Sequence, residues 1–125
     1  MMKGGTLKRL IAVCAIAIVA VGCAAGKAFK AGDMAMRAGE LDMAVGAYRK
    51  AVQGAPENAT YKIALQRAML AASRAHMEKA REYEQMDQLE AAVGEYRLAS
   101  EYDPTNRLAS SKMRIERSLS TLYES

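Results

Sequence analysis

Few residues of this 125-residue chain could do chemistry. There are two cysteines, Cys14 and Cys23, and a single histidine, His76. Cys23 directly follows Gly22 and an unbroken apolar run of twelve, Leu10 to Val21; Cys14 lies inside that run. A metal site needs several convergent ligands, and none is spaced to join His76, which reads as a packed or solvated side chain. Gly4-Gly5 precedes the apolar run and is not a phosphate loop. Acidic residues alternate with Lys and Arg, the pattern of solvated helix faces. No catalytic constellation emerges, so the chain is not expected to be an enzyme or to bind a cofactor, metal or small-molecule substrate. The chemistry that remains is recognition. Ile63, Arg67, Leu70, Arg74, Met77 and Arg81 follow one another at spacings of four and three, one helical face. Apolar pockets with guanidinium forks suit a peptide bearing acidic side chains or a terminal carboxylate. The competing reading is a solvated Arg face, with Ile63, Leu70 and Met77 packed under neighbouring helices.

The elements that carry these residues repeat. Residues 44 to 51 (Ala-Val-Gly-Ala-Tyr-Arg-Lys-Ala) and 92 to 99 (Ala-Val-Gly-Glu-Tyr-Arg-Leu-Ala) agree at six of eight positions, 48 apart. Leu41 with Leu89, Pro56 with Pro104 and Asn58 with Asn106 keep the same offset. Self-similarity at a fixed offset marks a repeat architecture. Ala44, Tyr48 and Ala51 share a helical face, as do Ala92, Tyr96 and Ala99. The small residues admit a close neighbouring helix and each Tyr fills the groove beside it, which makes these six the expected repeat core. Pro56 and Pro104 end their helices; Asn58 and Asn106 are placed to cap the next ones.

Ala, then Tyr four residues on, Ala three on and Pro five on resembles the second helix and closing turn of the tetratricopeptide repeat. The alternative is a generic Ala-rich helical hairpin. The first helix of unit one departs from the family, with Ala28, Ala31 and Ala35 where larger residues are usual; unit two has Ala80 and Tyr83 in place but His76 and Lys79 at usually apolar positions. The resemblance implies an all-α solenoid whose first helices line a concave groove. Counted from Pro56, positions 63, 67 and 70 match groove-facing positions; counted back from Pro104, so do Arg74, Met77 and Arg81. Phe29, Asp33 and Met36 are their counterparts in unit one.

Lys3, Lys8 and Arg9 precede the apolar run, and no acidic residue precedes Cys23. A basic start, a short apolar stretch and small residues at its end read as a secretory signal. The run is short for a transmembrane helix, which needs about 20 residues. Ala20-Val21-Gly22-Cys23 resembles a bacterial lipobox, which implies cleavage before Cys23 and lipidation of its thiol and amine. The alternatives are an ordinary signal with a coincidental Cys and an uncleaved anchor. Lipid chains on Cys23 would exceed the two signals that stable anchoring needs. Ala24, with no Asp after the Cys, permits sorting to the outer membrane under the enterobacterial rule, and the periplasmic face of that membrane is the expected address. Those three leader cations explain most of the net charge of +4; of 18 basic residues, 15 lie from Cys23 onward against all 14 acidic ones. The basic balance is therefore no argument for nucleic acid.

The chain divides as 1–22, lipoprotein signal peptide; 23–27, lipidated tether; and 28–125, helical repeat domain. Helices are expected over 27–38, 41–52, 58–86, 89–102 and 106–122. The third, with Tyr61, Leu65, Ala68, Ala72 and Ala75 on its packing stripe, is nearly thirty residues, roughly 43 Å at the helical rise. It explains why the offset exceeds the usual 34 residues by about four turns. The last presents Leu108, Ile115, Leu119 and Leu122 on one side. Two repeats and one helix fall short of about three, so a fragment, or a module completed by a partner, is expected.

Residues 20 to 123, notably Tyr61-Lys62-Ile63-Ala64-Leu65-Gln66-Arg67-Ala68 and Glu101-Tyr102-Asp103-Pro104-Thr105-Asn106-Arg107, resemble the lipidated N-terminal repeat region of some bacterial secretins of type II secretion and type IV pilus systems. The resemblance implies a lipid-anchored module that docks or assembles such a complex, with envelope proteins, secretin subunits among them, as partners. The family's channel domains have no counterpart here. Two alternatives stay open: a free-standing assembly lipoprotein similar to a pilotin or to the repeat lipoprotein of barrel assembly, and a regulator of a cell-wall enzyme.

Overall fold

The computed structural model describes residues 3–125, and the side chains of all of these except 3 and 17–21. The elements are α1 (Lys3–Ala38), α2 (Leu41–Gly54), α3 (Ala59–Gln85), α4 (Leu89–Tyr102) and α5 (Arg107–Tyr123). No strand occurs among the described residues, so the protein is all-α.

The repeat punctuation works as local chemistry demands. The side chain of Asn58 accepts from the Tyr61 amide at 3.2 Å, and that of Asn106 from the Ala109 amide at 3.0 Å. Each thus satisfies a first-turn N–H that has no partner inside its helix. The α1–α2 turn is a left-handed cap: Gly39 has φ +76°, and Glu40 donates back to the Ala35 carbonyl at 2.9 Å. Forty-eight residues later Asp87 does the same at φ +57°, with Gln88 donating to the Tyr83 carbonyl at 2.9 Å.

One boundary differs from expectation by more than two residues. The first helix does not begin at Lys27; α1 is continuous from Lys3, so the expected tether 23–27 is helical. Only Ala, Gly, Cys and Lys stand between the apolar run and residue 28, with no Pro. Gly22 and Gly26 cost about 1 kcal/mol each relative to Ala, too little to stop a helix already propagating from both sides.

The chain forms two compact units, Met1–Leu65 and Gln66–Ser125, with the boundary inside α3. In the first, α1 and α2 close on Ala35, Ala44, Val45, Tyr48 and Ala51, all buried. Two close approaches hold them together. A Cβ on Gly32 would fall 2.5 Å from the Tyr48 ring, and one on Gly54 would fall 2.9 Å from the Ala25 Cβ. Gly32 is therefore the socket for Tyr48. Phe29 completes the site, 5.5 Å from the Tyr48 ring and 4.7 Å from that of Tyr61.

The second unit builds the same socket with different residues. Its core is Met77, Ala80, Ala92, Tyr96, Ala99 and Ala109, with Tyr83 and Met113 packed against it. At the repeat offset Met77 replaces Phe29 and Ala80 replaces Gly32, so the smaller aliphatic partner of Tyr96 makes room for one extra methyl. Buried Ser73 fastens α3 to α4 by donating to the Ala99 carbonyl at 2.7 Å.

Candidate functional site

Two polar clusters lie in the second unit, and both are occupied with holding helices together. His76 is 8 % exposed. Its Nδ1 lies 2.5 Å from Glu95 Oε2, and its ring stacks on Tyr102 with centroids 5.6 Å apart. The other Glu95 oxygen takes Lys79 Nζ at 3.0 Å. Burial works against the Glu95 carboxylate, but the hydrogen bonds from His76 and Lys79 outweigh it and hold the carboxyl below its usual range. An ionised carboxylate only accepts, so Nδ1 carries the proton in this contact. With both oxygens engaged, Glu95 is a clamp between α3 and α4.

The second cluster joins α3 to α5. Lys112 Nζ reaches Glu84 Oε1 at 2.8 Å. Glu116 is 6 % exposed, and one of its oxygens has no hydrogen-bond partner among the described residues. Burial and the neighbouring Glu84 push its carboxyl above the usual range. Burial also opposes the Glu84 charge, yet the bond from Lys112, with the Tyr96 hydroxyl and the Glu116 carboxyl close by, keeps that carboxyl below its usual range. The two carboxyls are thus pushed apart: Glu84 is held down beside Lys112 and Glu116 is raised by burial and by Glu84. The Tyr96 hydroxyl faces Glu84 without meeting hydrogen-bonding geometry, and its pKa is raised by burial and by that carboxylate. In the first unit the matching hydroxyl of Tyr48 does find a partner, donating to Asp33 Oδ1 at 2.6 Å; burial and this bond push its pKa up to about 12. No group of three or more His, Cys, Asp or Glu side chains among the described residues could hold a metal ion.

The residues expected to form a peptide groove separate into two sets. Phe29, Asp33 and Met77 are engaged inside their own units: Phe29 on the two tyrosine rings, Asp33 under the Tyr48 hydroxyl, Met77 in the core at 6 % exposure. Met77 packs because it stands where Phe29 stands one repeat earlier, against the tyrosine of the following helix. Met36 is half-buried. Ile63, Arg67, Leu70, Arg74 and Arg81 are exposed. The packing stripe expected on α3 is shifted as well. Ala68 and Ala72 are buried, Tyr61 and Leu65 half-buried, and Ala75 exposed, while Ser73, His76 and Ala80 take the interior. The six repeat-core positions, Ala44, Tyr48, Ala51, Ala92, Tyr96 and Ala99, are all buried.

The apolar side of α5 is turned outward: Leu108, Ile115, Leu119 and Leu122 are all exposed. Its inward face is Ala109, Met113 and Glu116. A hydrophobicity pattern alone would point to the other face, because the buried Glu116 counts as a charged residue.

Cys14 and Cys23 are both exposed and neither is in a disulfide. Nothing would meet a Cβ on Gly22, beside Cys23. The side chains of Ala20 and Val21, which complete the lipobox-like tetrapeptide, lie outside the described residues, as do Met1 and Met2 of the expected signal peptide. Among the described residues no helix is long and apolar enough to cross a membrane. No protein-family model matches the chain, and comparison with curated proteins finds no match.

Proposed function

We propose that this chain is a lipid-anchored module of the bacterial cell envelope. It is built from tetratricopeptide-like hairpins and binds proteins on the periplasmic face of the outer membrane, in docking or assembly of a secretin-type secretion or pilus complex. One observation carries the reading: an exposed Cys23, closing a basic and then apolar leader, is followed at once by two hairpins of one pattern. Their equivalent tyrosines, Tyr48 and Tyr96, fill equivalent sockets. The polar clusters favour binding over catalysis, since the Glu95 and Glu84 carboxylates are committed to neighbouring helices. Lipid chains on Cys23 would supply the membrane, leaving the exposed helix faces for partners.

The test is incorporation of labelled palmitate in a bacterial host. Wild type should label and fractionate with membranes, and Cys23→Ser should remain unlabelled and unprocessed. Equal labelling of the two would overturn the anchor.

A further inference from the structure

The two capped helices α3 and α5 are repeat equivalents, so their outward faces can be compared position by position. At the offset of 48, Leu108, Ile115 and Leu122 of α5 correspond to Thr60, Arg67 and Arg74 of α3. All six are exposed. The same fold position therefore meets solvent with Thr and two Arg in one helix, and with Leu, Ile and Leu in the other. The exposure of Leu108, Ile115 and Leu122 is 50, 54 and 70 %. A face that can be polar but is apolar is built to be covered.

Its geometry says by what. Leu108, Ser111, Ile115, Ser118 and Leu122 follow at three, four, three and four, an unbroken heptad seam with large residues at one position and serine at the other. The serine hydroxyls need no outside partner. Ser111 donates to the Leu108 carbonyl at 3.0 Å and Ser118 to that of Arg114 at 2.9 Å. They are small, satisfied sockets, and covering them strands no polar group. Leu119 borders the seam. At 100° per residue the four apolar side chains span about 60°, the narrow stripe of a helix–helix seam and not the broad apolar face of a helix lying in lipid.

The rim sets the partner's charge. Arg107 and Arg114 flank the serine side and enter no ion pair among the described residues; Lys112 on the other flank is held by Glu84. The exposed carboxylate of α5 is Glu124 at its end, since Glu116 is buried. Two copies of α5 would set these cations against each other, whereas flanking positions of opposite sign favour pairing. We propose that the outward face of α5 docks an amphipathic α-helix of a partner protein whose apolar heptad stripe is bordered by Asp and Glu. This names the partner chemistry of the interaction module, and rests on that reading only in taking the chain to bind proteins.

The probe is a fluorescent 21-residue peptide of three heptads, Leu at a, Ala at d and Glu at e and g; its control carries Lys at e and g. Binding to the full chain is read by anisotropy. The Glu peptide should bind at least about tenfold tighter than the Lys peptide, and high salt should erase most of the difference. The triple variant Leu108→Thr, Ile115→Arg, Leu122→Arg installs what α3 carries at these positions. It should fold with an unchanged circular-dichroism melt and lose at least about tenfold in affinity. Ile115→Ser alone tests the seam should the triple variant misfold, and should weaken binding in the same direction. No binding, or equal binding by wild type and variants or by the two peptides, overturns the proposal. So does a dimer in ultracentrifugation that the variants abolish, which would assign the face to a second copy. Flotation with phosphatidylglycerol vesicles, lost in the variants, would assign it to lipid and overturns it equally. Cys23→Ser leaves the peptide measurement untouched, so failure of the anchor and failure of the seam are read separately.

Discussion

Replacing Tyr48 and Tyr96 by Phe should move stability in opposite directions, although the two residues occupy equivalent positions in the repeat. Both rings are buried, at 4 and 0 % exposure, so Phe keeps the packing at either site. The difference lies in one oxygen. Tyr48 donates to the Asp33 carboxylate at 2.6 Å. A hydrogen bond to a charged group is worth about 1.5–3 kcal/mol net, and the partial exposure of Asp33 places this one near the low end. Tyr48→Phe should therefore cost about 1.5 kcal/mol. The Tyr96 hydroxyl is fully buried with no partner among the described residues. Its desolvation is an uncompensated cost of about 1–3 kcal/mol, so Tyr96→Phe should be neutral or stabilising by about 1 kcal/mol. A gap of roughly 2.5 kcal/mol separates the variants, about 10 °C between their midpoints for a chain of this size. Parallel thermal and urea melts by circular dichroism measure it. Should Tyr96→Phe lose as much as Tyr48→Phe, the hydroxyl has a partner after all, and the asymmetry drawn between the two sockets is wrong. Truncation to Ala removes the ring itself and should cost about 3–5 kcal/mol at either position.

Gly32→Ala would place a methyl 2.5 Å from the Tyr48 ring; overpacking of about 1–3 kcal/mol should outweigh the helix-propensity gain of about 1 kcal/mol, read as a lower urea midpoint. Asp87→Gly relieves a left-handed non-glycine at φ +57° and should raise stability by about 0.5–1 kcal/mol, read as a higher urea midpoint, whereas Gly39→Asp, its mirror in the first repeat, should lower it. Lowered carboxyls such as Glu95 and Glu84 contribute stability above their ordinary pKa of 4.5, lost as pH falls below it. The raised Glu116 acts oppositely, its contribution fading as pH rises above 4.5; Glu116→Gln should therefore gain on wild type as pH rises above 4.5 in urea melts, and a difference independent of pH there would contradict the raised carboxyl.

What the sequence determined by itself was local or periodic. The offset of 48, the caps at Asn58 and Asn106, the turns at Pro56 and Pro104 and the buried tyrosines all follow from short-range rules: a side-chain oxygen reaching three residues on, a proline lacking an N–H, small residues one turn either side of a ring. What the tertiary structure decided was which face of each helix meets its neighbour. Met77 read as groove lining and packs in the core. Asp33 read as a groove residue and accepts from Tyr48. Gly32, inside the helix expected over 27–38, is the socket of Tyr48. In α5 the aliphatic stripe lost the interior to Ala109, Met113 and Glu116. The physical reason is common to all four. Burial rewards fit against a partner surface as well as apolarity, and a carboxyl that enters beside Glu84 has its proton affinity raised there. Neither the shape of that surface nor the proton affinity it imposes is written in the residues of the helix that meets it.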